Sequence, residues 1–269
     1  MTRRWVLILT LFALTAAAAV TADAQSIGNA KVVVVRNGSA TLHALLWRPQ
    51  GRGPFPAVLF NHGSGRTPED LARLGPYEPQ AEILGPVFAR HGYEFMYLFR
   101  RGVGLSADQG VSAIDLMTGE RAVHGQEARN KLQLQLMENR EMSDALSGLA
   151  YLRALPEVDG RKMAVTGHSF GGSMTVLLAA REPDLRAVVV FSGAGLSWDR
   201  SPELRARLLA AARHIEAPVL LVYAANDYSL AAAKALDARL TELRKPHLSK
   251  IYPRLVKRQK MAIPLFISA

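Results

Sequence analysis

Short apolar runs alternate with longer amphipathic stretches from residue 31 to residue 252, and that alternation sets the architecture. Residues 31–36 and 41–47 are rich in β-branched and apolar side chains, and Asn37-Gly38 between them is a two-residue hairpin signal. Residues 57–61, 94–99, 163–166, 187–191 and 218–224 are short and almost continuously apolar, as strands covered on both faces are. Lys250-Ile251-Tyr252 begins a last strand. Residues 82–90 have helical spacing, and Gly92 stops them. Residues 114–155 are mostly helical, with Leu132 and Leu136, then Met142, Leu146 and Leu149, on one stripe. Further helices begin at Ser173, Pro202 and Leu230, and residues 49–56 form a Gly- and Pro-rich loop. The pattern predicts an α/β domain. Its sheet is mostly parallel and twisted, helices lie on both faces, and an antiparallel hairpin forms its N-terminal edge.

Residues 1–24 stand apart from this pattern. Arg3-Arg4 precedes an apolar run over residues 5–20, and Ala22-Asp23-Ala24 is a small-x-small cleavage site. These are the marks of a signal peptide cut before Gln25, and the apolar run is shorter than the ~20 residues a membrane span needs. The expectation is a periplasmic or secreted protein with no stable membrane anchor once the leader is removed. Residues 25–269 then form one domain, and no later segment is apolar enough to cross a bilayer. The chain has no cysteine, which rules out disulfides, thiolate zinc sites and lipid attachment through an N-terminal cysteine. The net charge of +10 comes mostly from scattered arginines, a solvated surface rather than the clustered basic stripe that nucleic-acid binding uses. Nucleic acid is therefore not an expected partner, and oligomeric state is not legible.

The candidate chemistry begins at Gly167-His168-Ser169-Phe170-Gly171-Gly172. An apolar run precedes it and an Ala- and Leu-rich run follows, so it reads as strand, sharp turn and helix with a serine at the apex. In an open parallel sheet, ligands bind beyond the carboxyl ends of the strands. Two other segments fall there. Asn61-His62-Gly63-Ser64-Gly65 follows the third strand, and a backbone N–H at Gly63 or Ser64 could join that of Phe170 as an oxyanion hole. His62 is assigned a structural role. Asn226-Asp227 ends the strand at 218–224, and Asp227 could either orient a catalytic histidine or cap the helix from Leu230. The long polar stretch 118–137 reads as an excursion over this site.

Together these segments resemble the α/β-hydrolase superfamily, and within it the dienelactone hydrolase-like branch. Asn61-His62-Gly63, Arg101-Gly102-Val103-Gly104-Leu105-Ser106, the elbow at 167–172 and Ala225-Asn226-Asp227-Tyr228 carry the resemblance, over about residues 30–252. It implies the α/β-hydrolase fold and cleavage of a small-molecule ester or lactone through an acyl-Ser169, without metal or organic cofactor. A serine peptidase, an acyltransferase and a non-catalytic binding protein remain open on the same fold.

The resemblance also requires a histidine after the last strand, and none stands there. His247 should lie at the amino end of that strand, away from Ser169; His168 points away on the elbow, and His124 is remote. The tail is unusual too: residues 254–260 are basic and 261–269 apolar, so the closing strand–helix unit is incomplete. Pairing each codon's third base with the next codon's first two permits Gly-Lys-Thr over residues 255–258 and Asp-Gly-His-Ser-Phe over 260–265. A shifted reading frame is therefore one account of the tail, and the chain as written is expected to be impaired.

Overall fold

The computed structural model describes residues 26–254 except 28, 68, 69, 73, 74 and 77; the leader and the tail from 255 lie outside the described residues. Nine strands form one sheet: β1 (Ser26–Ile27), β2 (Ala30–Asn37), β3 (Ala40–Trp47), β4 (Phe55–Asn61), β5 (Glu94–Phe99), β6 (Val158–His168), β7 (Ala187–Phe191), β8 (Val219–Ala224) and β9 (His247–Tyr252). Their order is β1-β2-β3-β5-β4-β6-β7-β8-β9. β1, β2 and β3 pair antiparallel, as do β3 and β5, and every pairing from β5 onward through β4 to β9 is parallel. Among the described residues the helices α1 (Glu78–Arg90), α2 (Ala113–Glu138), α3 (Arg140–Arg153), α4 (Phe170–Ala179), α5 (Pro202–Ala211) and α6 (Ala231–Glu242) connect them. This is the α/β-hydrolase fold.

The alternating side chains of the strands split the core in two. The larger cluster joins Leu59, Leu98, Val165, Val188, Val190 and Leu221 to buried residues of α2 through α6. The smaller one joins Trp47, Phe60, Phe95 and Tyr97 to α1, with Phe88 and Phe95 stacked 4.7 Å apart. On that second face the sheet continues past α1 through Val189, Leu220 and Leu248, which are aligned by register. No helix among the described residues packs there, and Leu248 is 58% exposed.

Several boundaries differ from the sequence reading, and three of them do so for a tertiary reason. α4 starts at Phe170 rather than Ser173, because the elbow turns straight into helix and the Ser173 N–H reaches the Ser169 carbonyl at 3.0 Å. β9 starts at His247 rather than Lys250, because pairing with β8 begins at Val219. β6 starts at Val158, where it meets Phe55 before an irregularity resets the register at Ala57.

Candidate active site

Ser169 sits between β6 and α4 with φ 57° and ψ −116°, a conformation that side-chain-bearing residues seldom hold. Its N–H donates to Phe191 O at 2.9 Å, so the turn is pinned to β7. Its side chain is half-buried and makes no capping bond to α4. The close approach that follows explains the glycines. A Cβ on Gly171 would lie 2.0 Å from Asn61 O and 2.3 Å from His62 O; one on Gly167 would lie 2.4 Å from Gly171 O. The first turn of α4, with the Phe170 N–H, is thereby set against the loop that carries Gly63 and Ser64. Asn61 Nδ2 donates to Thr175 Oγ1 at 3.1 Å and locks the two segments together.

His62 has the structural role the sequence suggested. Its Nε2 accepts from the Arg100 N–H at 3.1 Å, so Nδ1 carries the proton and donates to Gly63 O at 2.7 Å. Burial, and then the neighbouring Arg100 guanidinium, hold its pKa well below the ordinary histidine value. The ring is neutral and both nitrogens are occupied.

Asp227 follows β8. Its Oδ1 accepts from the Tyr228 N–H at 2.7 Å. Its Oδ2 is buried with no hydrogen-bond partner among the described residues. An unpaired carboxylate oxygen of this kind is costly and calls for a donor. The helix-cap alternative does not hold: the Ala231 N–H at the start of α6 donates to Ser229 Oγ at 3.2 Å, and Asp227 takes no part. The loop after β7 reaches Asp227, since a Cβ on Gly195 would lie 3.1 Å from Asp227 Oδ1. Burial pushes the His168 pKa down to about 4, with the Asp227 carboxylate pulling the other way. Burial also pushes the Tyr223 hydroxyl up, and Asp227 adds to it, while Tyr223 donates to Gly193 O at 2.7 Å. The carboxyl ends of β6, β7 and β8 thus bring Ser169, its neighbour His168, and Asp227 into one region.

The other two histidines weighed from the sequence, His247 and His124, stay outside it. His247 is the first residue of β9, in register with Val219, whereas Asp227 lies beyond Ala224 at the other end of β8. At ~3.3 Å per residue the length of the strand separates them. The His247 Nε2 stands 3.3 Å from Asp237 Oδ1 instead. His124 is exposed, 3.0 Å from Glu120 Oε1. Among the described residues no three His, Asp or Glu side chains converge as metal ligands would.

α2 runs along this end of the sheet, as its polar sequence suggested. The Ile114 N–H donates to Ser64 O at 3.1 Å, and Gln133 Nε2 donates to Ser197 Oγ at 3.1 Å in the loop after β7. The helix breaks at Gly125, where φ is 84°. A cavity of about 320 Å³ is lined by Arg66, Leu71, Val103, Leu105 and Ser112.

Sequence reasoning missed Arg100, Glu141 and Asp144, all in this neighbourhood. Arg100 Nε donates to Glu141 Oε2 at 2.8 Å, and Arg101 Nη2 donates to Asp144 Oδ1 at 2.6 Å. The available signal was two acids three residues apart beside Met142 and Ala145 on an inward helix face.

A family model described as the dienelactone hydrolase family matches residues 103–256. No curated relative matches the sequence. Among solved structures, a dienelactone hydrolase from Anabaena variabilis is 22% identical with a TM-score of 0.60, over 88% of this chain and 93% of that one. An acylaminoacyl peptidase from Pyrococcus horikoshii is 18% identical with a TM-score of 0.60, over 83% of this chain but only 36% of the peptidase. Dipeptidyl peptidase 4 from Porphyromonas gingivalis is 17% identical with a TM-score of 0.58, over 88% of this chain and 34% of its own. At these identities the likeness is one of fold, and this chain spans about a third of each peptidase.

Proposed function

The chain belongs to the dienelactone hydrolase family, and from that premise we propose that it cleaves carboxylic esters or lactones through an acyl-Ser169 intermediate. The strained elbow at Ser169, packed against the Asn61–His62 backbone, is the observation that carries the reading. A base takes the Ser169 proton as Oγ attacks the carbonyl carbon, and the C=O electron pair moves onto oxygen. The N–H groups of Phe170 and of Gly63 or Ser64 hold that oxyanion, each such donor being worth ~3–4 kcal/mol in the transition state. Collapse expels the alcohol, which takes the proton back from the base. Water then repeats the sequence on the acyl group and regenerates Ser169.

Asp227 would orient the base, an imidazole whose N–H fills the need of Oδ2. The base itself is a histidine following β9 in a tail read in the shifted frame. The half-exposed Val189, Leu220 and Leu248 face supports a closing segment in the same place. On this reading the 269-residue chain is impaired, because losing the base of such a triad costs on the order of a million-fold in turnover. Residues 1–24 direct export, and the mature chain begins at Gln25.

The test is p-nitrophenyl ester hydrolysis by this chain and by one with the frame restored, alongside sequencing of the DNA. Activity in the restored chain alone is expected. Inertness of both would favour a binding role, and codons giving stops in the other frame would end the frameshift account.

A further inference from the structure

We propose that Arg100, which does not touch the reacting atoms, is the positioning residue that aims the oxyanion hole. The inference rests on the serine-hydrolase reading and deepens it.

Arg100 leaves the end of β5 fully buried, and its guanidinium is divided between two tasks. Nε donates to Glu141 Oε2 at 2.8 Å, and Arg140 donates to Glu141 Oε1 at 2.6 Å, so both carboxylate oxygens are engaged. Nη2 donates to His62 O at 2.9 Å and to Gly63 O at 2.7 Å. In a trans peptide the C=O and the following N–H point in opposite directions. Holding the carbonyl of His62 turns the Gly63 N–H away from Arg100, and holding that of Gly63 does the same for the Ser64 N–H. Both candidate donors are therefore oriented by one side chain.

Packing against Gly171 confines the Asn61 and His62 carbonyls, but a Cβ on Gly63 would meet nothing within 4 Å, so it is the grip on the Gly63 carbonyl that orients the following peptide. His62 Nδ1 adds a second grip on Gly63 O, and its ring is itself oriented by the Arg100 N–H. The same guanidinium stands 5.6 Å from the ring of Phe170, the residue that supplies the other donor. Stability does not explain the arrangement, since a buried ion pair often does no better than apolar residues of equal volume. A planar fork that serves an acid and two carbonyls at once is also specific to arginine.

The experiment uses the full chain in imidazole buffer, which supplies a diffusible base, with the Ser169→Ala rate subtracted as background. Hydrolysis of p-nitrophenyl acetate is compared with that of the matching thionoester. Sulfur is a weak acceptor, so an intact hole favours the oxygen ester. In the Arg100→Met, Glu141→Met double variant, which leaves no unpaired charge in this pair, kcat on the oxygen ester is expected to fall ~10²–10³-fold with KM unchanged. The oxygen-to-thiono rate ratio should fall with it. Arg100→Lys keeps a cation for Glu141 and should lower both part way. The ratio does not depend on the folded fraction, so a merely structural role would leave it at the parent value, and that result overturns the proposal while the hydrolase reading stands. Turnover equal to that of Ser169→Ala in the parent and in the frame-restored chain alike would instead overturn the hydrolase reading and this inference together.

Discussion

Gly171 faces the carbonyl oxygen of Asn61 so closely that a methyl group at residue 171 would stand 2.0 Å from it. Backbone meets backbone there, and neither side has a flexible chain end that could yield. Gly171→Ala is expected to lower stability by ~1–3 kcal/mol, because the overpacking outweighs alanine's better helix propensity. Gly119→Ala is the control: nothing lies within 4 Å of its Cβ position in α2, and it should gain up to ~1 kcal/mol. Urea unfolding of the two variants against the parent checks both signs.

Ser169 stores backbone strain that only its chemistry justifies. At φ 57° and ψ −116° a side chain costs on the order of 1–3 kcal/mol, which glycine avoids at an entropic cost of ~0.5–1 kcal/mol. Ser169→Gly should therefore stabilise the fold by roughly 1 kcal/mol while removing imidazole-supported ester turnover. A denaturation midpoint at or below that of the parent would contradict the strain argument.

Asp227 should govern how well imidazole substitutes for the base. Asp227→Asn keeps the shape but cannot stabilise an imidazolium. The expected loss in imidazole-dependent turnover is at least tenfold, bounded by the ~10⁴-fold seen when a protease triad carboxylate becomes an amide. The slope of rate against imidazole concentration, parent against variant, is the measurement.

Glu94 contributes a component of stability that falls as pH rises. It is fully buried at the start of β5, and neither carboxylate oxygen has a hydrogen-bond partner among the described residues. Burial, and then the Glu157 charge, raise its pKa to about 7, while Arg48 opposes them. A carboxyl with a raised folded pKa keeps its proton in the native state after the unfolded chain has lost it. Its contribution is therefore complete below the unfolded pKa near 4.5 and is lost as pH rises to about 7, a change of roughly 3 kcal/mol. Buried His62 and His168, whose folded pKa values are lowered, raise stability as pH rises toward the ordinary histidine value, so the Glu94 effect is read as a difference: the stability of the parent relative to Glu94→Gln should fall by roughly 3 kcal/mol between pH 5 and pH 8. Urea unfolding at pH 5 and pH 8 compares the two slopes.

The hydrophobic pattern alone located β5 and β7 to the residue, because a strand buried on both faces must be apolar along its whole length. The serine elbow was equally legible, since its small residues and flanking runs are local requirements. The Arg100–Glu141 pair was not, for its members lie 41 residues apart and meet only because β5 inserts between β3 and β4. Nor could composition say that His247 would face Asp237, or that Asp227 Oδ2 would be buried and unpaired. Periodicity and turn chemistry are properties of neighbours along the chain, and they determined the layers and the serine turn. Which carbonyl an arginine grips, and which carboxylate is left without a donor, depends on strand order and burial, and only the folded sheet decides those.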